Sequence, residues 1–127
     1  MSESTAKFRF VNYKIKESSI KISTDKQLDP HINVKFDTST GTIIDGHKMR
    51  LDLATTITNG NETLTISVKA EGYFEFDNDI TQELQDKFFK INAPAILFPY
   101  IRAYISTLTS LSGIETIILP TLNISRR

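Results

Sequence analysis

The chain is 127 residues long, carries fifteen basic and fifteen acidic residues, and has no cysteine. That length predicts a single domain over residues 1–127, large enough to bury a substantial core. Charge balance without a basic block excludes an electrostatic footprint for nucleic acid or for a membrane surface. The missing thiols exclude disulfides, thiolate catalysis and cysteine-based zinc sites.

The polar start, Met1-Ser2-Glu3-Ser4-Thr5, lacks the charged and then apolar regions of a secretory signal. The longest apolar stretch is broken by Pro99 and Arg102, short of the roughly 18 clean residues a membrane helix needs. The expectation is a cytoplasmic protein without membrane insertion, in which the sequons at Asn61 and Asn123 are chance matches.

Residues 1–6 are expected to be a disordered tail. In the stretch that follows, Phe8 and Phe10 lie on one phase and Val11, Tyr13 and Ile15 on the other, so the switch at Phe10-Val11 predicts a bulge or a strand covered on both faces. Ile20 and Ile22 alternate next. The polar run Thr24 to Pro30 then breaks the strand and predicts a surface crossing. Ile32, Val34 and Phe36 alternate strictly with Asn33, Lys35 and Asp37, the pattern of a strand with one apolar face.

Thr40-Gly41 and Asp45-Gly46 are turn signals around Ile43-Ile44. Met49, Leu51, Leu53, Thr55 and Ile57 alternate, Asn59-Gly60-Asn61 is a hairpin turn, and Leu64, Ile66, Val68 and Ala70 continue the pattern. Gly72 marks a bulge or a close backbone approach, and Tyr73, Phe74 and Phe76 extend the strand. Four antiparallel strands result, the last three linked as a meander.

Thr81 to Lys90 predicts one or two helical turns with Leu84, Phe88 and Ile91 inward. The long helix is predicted after it, from Pro94 to Ser112, with Asn92 as its N-cap, Pro94 inside the first turn and Gly113 as the C-terminal stop. Ile96, Leu97, Tyr100, Ile101, Tyr104, Ile105, Leu108 and Leu111 recur at spacings of three and four and form one broad stripe. Pro99 cannot donate to the carbonyl of Ala95, so a bend or an irregular first turn is expected there. All strands precede all helix, an α+β fold in which a long C-terminal helix packs on one face of a four-stranded antiparallel sheet. After Gly113, an apolar loop or tail (113–127) holding Ile114, Ile117, Ile118, Leu119, Leu122 and Ile124 needs cover from elsewhere.

Familiar chemical motifs are absent. The glycines of Gly41 to Gly46 resemble a phosphate loop, but the lysine stands one place late with no Ser/Thr after it. Asp77-x-Asp79-x-Thr81 begins like a calcium loop but has Gln82 where glycine is needed and Phe88 where glutamate is needed. His31 and His47 have no ligand partners at metal spacing, so both read as strand-end surface residues. No serine or threonine sits in a nucleophile elbow. Lys48, Arg50 and Lys69 fit a solvated sheet face. Tyr100 and Tyr104, one turn apart, fit core or a subunit interface better than a stacking platform. No catalytic constellation, metal or cofactor is expected, and the chain does not read as an enzyme.

The run Pro94-Ala95-Ile96-Leu97-Phe98-Pro99-Tyr100-Ile101-Arg102, followed by Gly113 and by Leu119-Pro120-Thr121-Leu122-Asn123-Ile124, resembles the SecB family of protein-export chaperones. The likeness extends over about residues 7 to 124. Phe8 and Phe10 match the family's first strand, Ile20 to Pro30 its crossover loop, Val34-Lys35-Phe36-Asp37-Thr38 its second strand, and Glu71-Gly72-Tyr73-Phe74 the end of a later one.

The resemblance implies a four-stranded sheet with a long helix against it, assembled as a homodimer or a dimer of dimers. Phe8, Phe10, Tyr13, Tyr100, Tyr104 and Leu108 are the interface candidates. It implies ATP-independent holding of non-native client polypeptides, preprotein or antitoxin, with Leu28, Ile114, Ile117, Ile118, Leu119 and Leu122 as candidates for client contact. Because the sequence stops at Arg127 and is neutral, the second helix, the metal-binding tail and the acidic surface that serve docking to the translocation ATPase SecA are not expected. A dedicated antitoxin chaperone is then favoured over a general export factor. The alternative is a non-chaperone oligomeric scaffold that reuses the fold.

Overall fold

Alternating apolar residues leave each strand one face to bury, and in the computed structural model, which describes residues 8–39 and 42–120, those faces meet one helix. Strand β1 is Phe8–Ile22, β2 Ile32–Thr38, β3 Thr42–Asp45, β4 Lys48–Asn59 and β5 Leu64–Phe76. The antiparallel sheet has the order β1-β5-β4-β2, with the short β3 pairing at the far end of β4. β2, β4 and β5 form the meander, extended by β3 from the Ile43-Ile44 segment that the sequence placed between two turns. The expected tail at residues 1–6, the Thr40-Gly41 turn and the Leu122-Asn123-Ile124 segment lie outside the described residues.

Strand β1 shows how one strand serves three apolar phases. Its register against β5 shifts between Phe10 and Asn12 and again between Ile15 and Glu17. The first shift is the bulge expected at Phe10-Val11. Each extra residue flips the side-chain alternation, so Phe8 and Phe10, then Tyr13 and Ile15, then Ile20 and Ile22 all belong to the helix-facing side. Gly72 is no bulge, since it pairs in register with both Tyr13 and Leu51. It is a close approach, where an added Cβ would stand 3.2 Å from both Leu97 Cδ2 and the Phe74 ring.

The helical part begins earlier than Asn92. Thr81 caps α1 (Gln82–Lys87), its hydroxyl accepting from the Leu84 amide at 3.1 Å. The chain continues through a π turn, Phe88–Asn92, into α2, Ala93–Leu111. Asn92 has helical dihedrals and makes no side-chain cap bond, because the preceding turn already supplies a continuous helix. The π turn is the irregularity ahead of Pro94 and Pro99, and α2 runs through Pro99 without interruption. Gly113, at φ +85°, ends the helix as expected.

The core lies between β4, β5 and α2. Met49, Leu51, Leu53, Ile57, Ile66, Val68 and Phe74 face Leu97, Phe98, Ile101 and Ile105, all nearly inaccessible. The helix stripe is therefore centred on Leu97-Ile101-Ile105 and takes in Phe98, whose ring meets Phe36 edge-on at 5.1 Å. Tyr100 and Leu111 fall outside it and are exposed. Leu84 also differs from expectation: it is exposed, while Phe88 and Phe89, one turn on, are buried. No helix among the described residues is long and apolar enough to cross a membrane.

Because α2 sits directly on Gly72, Gly72→Val is expected to cost about 1–3 kcal/mol through overpacking. Gly72→Ala should cost less. Urea unfolding checks the order, and equal midpoints for the three proteins would mean that the helix is not seated there.

Candidate functional site

Two irregular segments meet beside the sheet and enclose an apolar cleft of about 270 Å³ lined by Leu28, Pro30, Ile32, Leu64, Ile114, Ile117 and Ile118. One wall is the crossover from β1 to β2, residues 23–31. It cannot pair with a strand, so the β4–β5 hairpin holds it by its backbone. Asn59, only 3% exposed, donates to the Asp29 carbonyl at 3.3 Å and to Thr63 Oγ1 at 2.7 Å, while its own carbonyl accepts from the Leu64 amide at 3.1 Å. Asn61 donates to the Gln27 carbonyl at 3.0 Å, Ser23 N to Thr63 O at 2.8 Å, and Gly60 N to His31 O at 3.1 Å. At Gly60 a Cβ would collide with the Asp29 carboxylate, so a larger residue there would have to push that side chain aside. Glu62 takes the left-handed conformation, φ 59°.

The other wall is the segment after α2, which turns at Gly113 and runs back along the helix. Arg102 Nε donates to the Leu119 carbonyl at 2.6 Å, and Ser106 to the Ile117 carbonyl at 2.9 Å. Thr109, fully buried, donates to the Ile105 carbonyl at 2.9 Å and accepts from the Ile117 amide at 3.0 Å. Ser110 meets Thr116 at 2.7 Å. Extended backbone then alternates: Ile117 is half-buried, Ile118 is 68% exposed, and Leu119 is fully buried.

Four of the client-contact candidates, Leu28, Ile114, Ile117 and Ile118, are thus brought together. Leu119 is not cleft surface; its position opposite Arg102 sends the side chain into the core. Leu122 lies outside the described residues.

Asp29 and Glu115 also line the cleft, and among the described residues no cationic one does. The backbone N–H of His31 and then its ring, each 2.9 Å from Asp29 Oδ1, hold the Asp29 carboxyl below the ordinary carboxylate value.

The interface candidates form a second apolar surface across α2. Tyr100 contacts Phe10 and Tyr13, with ring centroids 5.5 and 4.6 Å apart. Ser18 and Tyr104 share a hydrogen bond of 2.6 Å. Phe8 is set apart, stacked on Phe88 at 3.9 Å, and Leu108 is half-buried. Val11, at the bulge, is 53% exposed. Among the described residues β1 pairs only with β5, so this surface continues along an open strand edge.

The sheet face away from α2 is polar. Arg50 lies 3.0 Å from Asp52 and 3.8 Å from Glu71, Lys69 lies 3.6 Å from Glu17, and Tyr73 donates to Glu71. Hydrogen bonding to Asp52 raises the Arg50 pKa, and donation to Glu71 raises that of Tyr73. These groups pair with one another on the face expected to be solvated around Lys48, Arg50 and Lys69. His31 is a surface residue ahead of β2, paired with Asp29. Asn59 and the row Arg102, Ser106, Thr109 went unrecognised in the sequence. The only trace is a polar flank at helical spacing beside the apolar stripe.

The family model described as preprotein translocase subunit SecB matches residues 6–126. Over 60 residues the chain is 42% identical to MJ0357 of Methanocaldococcus jannaschii, an uncharacterized protein; the match spans 47% of this chain and 38% of that one. Among solved structures, the Mycobacterium tuberculosis SecB-like chaperone Rv1957, in complex with a ChAD peptide from the Rv1956 HigA1 antitoxin, superposes with a TM-score of 0.76. The identity is 13%, over 92% of this chain and 88% of that one.

The depressed Asp29 value fixes the sign of an acid effect. Its stabilisation is complete above the ordinary carboxylate pKa of about 3.9 and is lost as pH falls through the lower native value. Between about pH 5 and about pH 3 the urea midpoint should therefore drop further for the native sequence than for Asp29→Asn. Parallel curves would remove Asp29 from the crossover's support.

Proposed function

The chain belongs to the SecB family of protein-export chaperones, and on that premise we propose that it is an ATP-independent holdase that takes non-native polypeptide in the cleft between the crossover and the post-helix segment. The observation that carries this is the construction of the cleft. Both walls are fastened through backbone groups, by Asn59 and Asn61 on one side and by Arg102, Ser106 and Thr109 on the other. Their apolar side chains, Leu28, Ile114 and Ile118, are left to present a surface. A surface of that kind suits clients that share chain chemistry rather than a sequence. Leu122 is proposed to extend it.

The superposition on a chaperone bound to an antitoxin peptide supports one client class. A labile antitoxin is our proposed client, held in the cytoplasm. The chain is proposed to work as a homo-oligomer through β1 and the Phe10–Tyr13–Tyr100 cluster, because an open edge flanked by exposed aromatics is relieved by pairing with a second copy.

Aggregation of an unfolded test protein should slow in the presence of the chain, and a co-expressed antitoxin should survive proteolysis longer. Ile118→Asp should abolish both while keeping stability within about 0.5 kcal/mol, as a change at an exposed position does. A protein that does neither but captures one folded partner at fixed stoichiometry would be the scaffold instead. Tyr13→Lys should lower the mass seen by sedimentation, and an unchanged mass would move the interface elsewhere.

A further inference from the structure

The flank of α2 formed by Arg102, Ser106 and Thr109 hydrogen-bonds residues 117–119 at their backbone atoms. Two carbonyls and one amide are bonded, and no side chain of the segment takes part. Its spacing also fits an extended chain. Four helical residues from Arg102 to Ser106 rise about 6 Å, and two extended residues from Leu119 to Ile117 span about 6.6 Å, so one helical turn keeps step with one strand dipeptide. Such a row recognises polypeptide backbone in general, and sequence enters only through the inward sockets filled by Ile117 and Leu119.

We infer that this row is a binding site for extended polypeptide, filled in the free protein by the chain's own residues 117–119, and that an incoming client segment replaces them. The inference rests on the holdase reading and names what such a client must carry: large aliphatic side chains two residues apart, with any residue between them. The intervening position is unrestricted because Ile118 itself points outward and is 68% exposed. Fully buried Leu119 leaves its socket only when another aliphatic group takes it, so the exchange is like for like and polar segments are refused. Gly113, at φ +85° with open space around it, is the pivot about which the segment swings away.

The probe is a labelled synthetic peptide of residues 113–124, titrated into the full chain while amide exchange is followed by NMR. At saturation the Ile117 amide, protected in the free protein by Thr109, should exchange about tenfold faster within the chain, while the amides of the crossover keep their protection. Leu119→Ser, which weakens the resident segment, should bind the peptide about tenfold tighter, equivalent to 1.4 kcal/mol. A peptide with serine at the positions of Ile117 and Leu119 should not bind.

Unchanged protection of Ile117 in the saturated complex, or no binding by the native-sequence peptide, overturns the inference, and neither result depends on the variant folding. Aggregation assays run in parallel separate the two readings. Suppressed aggregation with an immobile segment leaves the holdase and removes the exchange, whereas exchange without suppression does the reverse.

Discussion

Peptide groups that leave regular structure without reaching water need partners, and this fold answers that need with side chains borrowed from its most rigid elements. The crossover is met by the asparagines of the β4–β5 hairpin, and the post-helix segment by the polar flank of α2. Each wall of the cleft is fastened by side chains that lie outside it. A fully buried leucine is worth about 1.5–3 kcal/mol and a hydrogen bond to a charged donor about 1.5–3 kcal/mol, so Leu119 and Arg102 anchor the post-helix segment with comparable force. Structure and surface are thereby separated along one short stretch. Leu119 holds, and Ile118, next to it, presents.

Helix α2 serves three neighbours at once. Its Leu97-Ile101-Ile105 line seals the sheet, its Arg102-Ser106-Thr109 flank holds the returning chain, and its Tyr100-Tyr104 flank reaches β1. The last contact is the least complete, since Tyr100 remains 40% exposed. Exposed ion pairs on the opposite face, such as Lys69–Glu17, contribute little. Stability therefore resides on the helix side of the sheet, and the polar side is free to vary.

The sheet was legible in the sequence because burial on one face imposes a period of two. β2, β4 and β5 follow their alternations, and the phase switch at Phe10-Val11 announced a bulge. The second bulge, at Lys16, lies among polar residues and shows only in the position of Ile20 relative to Ile15. The start of α2 was placed to within a residue, but its capping was misread for a local reason: asparagine before proline is good capping chemistry, yet Thr81 had already opened the helical stretch and the π turn carried it through Asn92, which makes no cap bond. Of the client-contact candidates that the family resemblance implied, Leu28, Ile114, Ile117 and Ile118 line one cleft. Leu119 was misjudged because three consecutive aliphatics carry no periodicity. Their orientation is set by Arg102 and Ser106, distant in sequence. Asn59 was read as a turn residue, and nothing in the turn pattern shows that its side chain supports another segment.

The two bulges of β1 bear on a hazard of any long open strand edge. A flat fifteen-residue edge would accept almost any unpaired strand into a growing sheet. With the register broken after Phe10 and again after Ile15, a straight strand can match only a short run before its alternation falls out of phase. The edge is thus hard for a straight strand to extend, and it keeps its full length for a partner that carries the same irregularities.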